Sequence, residues 1–97
     1  MAFGCKNNMP NGVQKSYEAG VRQARVDDKH HELVYFVNGY GAFLKVKELT
    51  PVFAKYGYSV VVGYTDVPMD VDRMSYVDGY NSVSKSIIEE KIGITLE

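Results

Sequence analysis

Three tyrosines close a shared pattern, Val37-Asn38-Gly39-Tyr40, Val61-Val62-Gly63-Tyr64 and Val77-Asp78-Gly79-Tyr80. A phenol ring stacks on bases, sugars and apolar side chains while its hydroxyl hydrogen-bonds, so Tyr40, Tyr64 and Tyr80 on one rim would form a recognition surface. Tyr35 lies just ahead of the first motif and Lys45 and Lys47 just after it, supplying a further ring and two cations that suit phosphate. The competing assignment is architectural, with glycine making the turn and tyrosine closing the core. It carries more weight, because antiparallel neighbours place successive strand ends at opposite edges and the motifs recur at irregular intervals.

Other reactive residue types are present in patterns that do not add up to a centre. Asp66, Asp70 and Asp72 offer hard oxygen ligands but lack the glycine and distal glutamate of a calcium loop. Neighbouring side chains diverge on a strand or a helix, so His30 and His31 do not serve one metal or one proton transfer together. Cys5 stands among turn formers, where nothing would hold a base against its thiol. The chain has no phosphate-cradling glycine loop ending in Lys, no nucleophile elbow and no paired-cysteine zinc spacing. No catalytic residue, metal ligand or cofactor is therefore assigned.

The elements that must position these residues follow from composition and periodicity. With 97 residues, 45% of them hydrophobic and 24% charged, the chain suits one domain with one core. There is no Trp, and eight Tyr outnumber four Phe, so aromatic burial falls mainly on rings whose hydroxyl needs a partner or water. One cysteine excludes an internal disulfide, and no leader or membrane-spanning run is evident, which suggests a cytoplasmic protein. The net charge of −1 argues against broad attraction to nucleic acid. Charge is nevertheless uneven, with five basic against three acidic residues over 1–30 and three against seven over 65–97.

Residues 1–12, rich in Gly, Asn and Pro, read as a flexible arm; residues 13–95 read as the domain, and Leu96-Glu97 as a remnant of a cloning site. Val13, Tyr17, Val21 and Ala24 share a helical stripe, although Gly20 weakens it. Leu33–Val37 is a strand, Asn38-Gly39 a turn, and the alternation of Leu44 and Val46 with Lys45 and Lys47 suggests a return strand. Thr50-Pro51 opens a short helix that Gly57 ends. Three successive valines at 60–62 suggest a strand buried on both faces in the middle of the sheet. Residues 73–77 could form an edge strand, and 81–91 a helix ended by Gly93. The expected fold is α+β, a small, mostly antiparallel sheet of three to four strands with helices packed on one face. For such a chain a non-enzymatic interaction module fits best, meeting a protein partner or a second copy of itself. The rivals are a single-strand nucleic-acid binder using Tyr35, Tyr40 or Tyr64 with Lys45 and Lys47, and a small metal-assisted or acid–base enzyme drawing on Asp66, Asp70, Asp72 or His31.

Overall fold

The first helix, α1 (Asn11–Lys29), and the last, α3 (Val71–Ile92), lie against each other, and the chain between them makes β1 (Val34–Val37), α2 (Ala42–Ala54) and β2 (Ser59–Val62). The computed structural model describes residues 11–65 and 70–96.

The sheet overturns the antiparallel expectation. Among the described residues it has two strands, β1 and β2, and they run parallel with Tyr35 opposite Val60 and Val37 opposite Val62. The return strand proposed for residues 42–47 is instead the start of α2. A four-residue alternation is too short to separate a period of two from one of 3.6. The longer pattern decides it: Ala42, Val46, Leu49 and Phe53 recur at helical spacing, and three of the four are buried with Val46 half-buried. A helix here supplies the crossover that parallel strands require. Asn38-Gly39 is consequently a strand-to-helix loop rather than a hairpin turn, and Thr50-Pro51 lies inside a helix rather than at its start. Gly57 does adopt the left-handed conformation, with φ 83°.

Residues 73–77 likewise belong to α3, which begins ten residues before the expected start at 81. Asp70 caps it by accepting the Asp72 N–H at 2.9 Å, and Gly93 ends it with φ 83°. The valine run is a strand, but it lies at the sheet margin, and Val61 is 40% exposed.

Side chains on alternate residues of β1 point to opposite faces. Tyr35 meets Phe53 of α2, ring centroids 6.1 Å apart, and Phe36 makes a T-shaped contact with Tyr80 of α3 at 5.1 Å. Helices therefore cover both faces, not one. Helix α1 packs on the far side of the fold's α3, where Gly20 and Gly79 bring the backbones together. A β-carbon on Gly20 would run into the Tyr76 carbonyl oxygen, and one on Gly79 into that of Tyr17. The glycine that weakens α1 in isolation is what lets α3 reach it.

The core joins Ala24 of α1, Leu33 and Val37, Leu49 and Phe53 of α2, Val60, Tyr80 and Ile88 of α3, and Leu96. Leu96, at 5% exposure, also donates its N–H to Glu89 at 2.6 Å, so the segment after Gly93 folds back onto the body of the protein. Among the described residues no helix is long and apolar enough to cross a membrane.

Candidate functional site

Parallel strands bring their C-terminal ends to one rim, so two of the three Val-x-Gly-Tyr motifs do meet. The Asn38 side-chain oxygen accepts the Tyr64 N–H at 3.1 Å, and the Gly39 N–H donates to the Tyr64 carbonyl at 2.7 Å. The third motif is inside α3, where Gly79 serves the helix crossing and Tyr80 is buried.

The loop from β1 to α2 is bent by Gly39 and Gly41, with φ of 91° and 79°. Both values are costly for residues with a β-carbon. Between these bends Tyr40 is thrown outward and is 89% exposed. Phe43 and Leu44 follow on the first turn of α2 at 70% and 74% exposure, because the helix turns Ala42 and Val46 inward instead. Tyr40 forms a wall shared by two clefts. One, about 490 Å³, is also lined by Tyr35, Asn38, Lys45, Asn81 and Lys85; the other, about 290 Å³, by Phe43 and Thr65.

Of the residues singled out in the sequence, Tyr35, Tyr40 and Lys45 thus share one cleft. Lys45 lies 3.9 Å from Glu48, a loose pairing between exposed groups that leaves it at the cleft mouth. Lys47 is exposed on α2 but does not line that cleft. Tyr64 turns away to donate to Asp78 at 2.8 Å. Burial, then the Asp78 hydrogen bond and charge, pushes its phenol up to about 12. Tyr80 donates to Asp27 at 2.6 Å and accepts the Val34 N–H at 3.1 Å. Its phenol is also raised, first by burial and then by the bond to Asp27, while the Val34 N–H acts in the opposite sense. Tyr80 is thus buried away from the rim, whereas Tyr64 is half-buried at the strand end with its hydroxyl engaged by Asp78.

No match was found among protein-family models, curated proteins or solved structures.

The remaining reactive residues are dispersed. Asp70 is occupied as a helix cap, His30 and His31 are exposed on the turn after α1, and Cys5 and Asp66 lie outside the described residues. Among the described residues no three His, Cys, Asp or Glu side chains gather.

Four contributors to this region were not singled out in the sequence. Phe43 and Leu44 fall in the stretch expected to return as a strand, and Asn81 and Lys85 in the expected 81–91 helix. The signal that could have placed them was the spacing of Ala42, Val46, Leu49 and Phe53, which turns Phe43 and Leu44 outward.

Proposed function

We propose that the protein is a non-enzymatic interaction module that recognises a protein partner through the β1–α2 loop and the first turn of α2. The observation that carries this reading is the exposure of Tyr40, Phe43 and Leu44, three large apolar side chains within five residues. Isolated exposed apolar residues are ordinary, whereas a cluster on a hydrogen-bonded loop and a helix offers aromatic anchors at little ordering cost. Lys45 and Lys47 beside them favour a segment with apolar anchors flanked by Asp or Glu.

The test is selection of a displayed peptide library on the wild-type protein, with counter-selection on a Phe43→Ser, Leu44→Ser double variant. Because both side chains are exposed, the variant is expected to keep its stability to within about 1 kcal/mol. Enriched acidic–apolar peptides that bind the variant at least roughly thirtyfold more weakly support the reading, each of the two anchors contributing over about 1 kcal/mol. Peptides that bind both proteins equally overturn it.

A second reading, binding of single-stranded nucleic acid, is favoured by Tyr35, Tyr40 and Lys45 lining one cleft. It predicts that a labelled oligothymidylate binds at low salt and weakens with added salt and with Lys45→Ala, Lys47→Ala. Absence of low-salt binding rejects it.

A further inference from the structure

A strand at a sheet margin exposes N–H and C=O groups on its outer side, and proteins usually cover, twist or charge such margins. The two margins of this sheet differ. On β1 the Val34 N–H donates to the Tyr80 hydroxyl at 3.1 Å, and the Phe36 N–H donates to the Asn81 side-chain oxygen at 3.0 Å. The Asn81 amide nitrogen in turn donates to the Phe36 carbonyl at 2.7 Å. One side-chain amide thereby occupies the place of a peptide group from a third strand, and that margin is closed.

On β2 the bonds from Ser59 N–H to Leu33 O and from Gly63 N–H to Val37 O set which residues face inward. Residues 59, 61 and 63 face β1, so the N–H and C=O groups of Val60 and Val62 point outward, and among the described residues no strand lies beyond them. From Tyr56 to Thr65 the chain carries neither a charge nor a proline to guard this margin. Val61, on the sheet face it shares with Phe36, is 40% exposed.

We infer that β2 pairs with β2 of a second copy of this chain, antiparallel about a twofold axis at Val61, to give a four-stranded sheet. In this register Val60 of each chain opposes Val62 of the other, and every outward group at both positions finds a partner. Moving the axis to Val60 or Val62 sets Tyr58 or Tyr64 opposite instead. Their N–H groups already donate to the Phe53 carbonyl at 3.0 Å and the Asn38 side chain at 3.1 Å. The hydrogen-bonding pattern therefore selects one self-complementary alignment. A second copy brings a strand that is already extended and uncharged, whereas a flexible peptide must be ordered for the same few bonds. The two Val61 side chains face each other at a non-hydrogen-bonded position, where opposed side chains approach most closely. This contact lies apart from Phe43 and Leu44 and goes beyond the partner surface proposed above.

Light scattering of the full chain at millimolar concentration tests the pairing. Wild type, and the Phe43→Ser, Leu44→Ser variant, are expected at twice the chain mass. V61K and V61E are each expected at the single mass with unchanged far-ultraviolet dichroism, and a mixture of the two regains the double mass. Wild type at the single mass overturns the inference, as does a double mass that survives in V61K and V61E. Should either variant unfold, hydrogen exchange on wild type decides: slower exchange of the Val60 and Val62 amides with rising concentration supports the pairing, and concentration-independent exchange overturns it.

Discussion

At position 80 a phenol does what a phenyl ring could not. Tyr80 is 2% exposed, and its hydroxyl joins three elements by donating to Asp27 of α1, accepting from Val34 of β1 and standing on α3. Tyr80→Phe keeps the edge-on contact with Phe36 but strands the Val34 N–H, and it is expected to cost about 1–3 kcal/mol. Thermal melts should fall by roughly 4–8 °C for each kcal/mol lost. The same hydroxyl couples stability to alkaline pH. The folded phenols of Tyr80 and Tyr64 titrate above the ordinary 10.0, so their contribution is intact below that value. It is lost as pH rises through the folded values, about 12 for Tyr64. Melts run from neutral pH to about pH 12 should fall steeply past the ordinary tyrosine range, and a Tyr64→Phe, Tyr80→Phe double variant should fall less steeply; equal slopes would refute the coupling. That Tyr80 needed partners could be read from eight tyrosines in so small a chain, but the identity of those partners could not. Asp27 and Val34 both lie far from Tyr80 in sequence, and only the arrangement of α1 and β1 around α3 brings them to its hydroxyl.

Between elements, the decisive residues are those with the least side chain. In an exposed helix, Gly→Ala stabilises by up to about 1 kcal/mol. At the α1–α3 crossing the sign reverses, because the added methyl at either Gly20 or Gly79 meets backbone of the opposite helix, which cannot rotate aside. Gly20→Ala and Gly79→Ala are each expected to destabilise by about 1–3 kcal/mol or more in urea titrations. Gly12→Ala serves as the control: its β-carbon would sit 3.4 Å from an Asp72 carboxylate oxygen, an ordinary contact, and it should be neutral or mildly stabilising. The existence of α1, the strands near 34–37 and 59–62 and the end of α3 at Gly93 were legible because periodicity and capping agree there. The direction of β2 was not legible, since it depends on whether residues 42–47 return as a strand or cross over as a helix. Leu44-Lys45-Val46-Lys47 satisfies both patterns, and the outward Phe43 and Leu44 that form the candidate site were hidden by the same ambiguity.

Over the whole molecule, the layers differ in how they are held. Helix α2 and the two strands are joined by ladder bonds and by Tyr35, Leu49, Phe53 and Val60, whereas α1 has extensive contact with α3 alone. Native-state hydrogen exchange in low denaturant is therefore expected to show α1 opening as a unit at lower free energy than β1, α2 and β2, with Gly20→Ala widening the gap. Amides of α1 and β1 that converge on one common opening energy would contradict this. The crossing of α1 and α3 also bears on how the chain is made. The Gly20 stripe leaves the ribosome before the α3 surface that it fits. A lone helix of this length is marginal in water, so nascent α1 lacks its α3 docking surface until Gly79 has emerged. Its locking into place therefore waits for α3, and any holdase on the emerging polypeptide would meet that glycine-bearing stripe before α3 does.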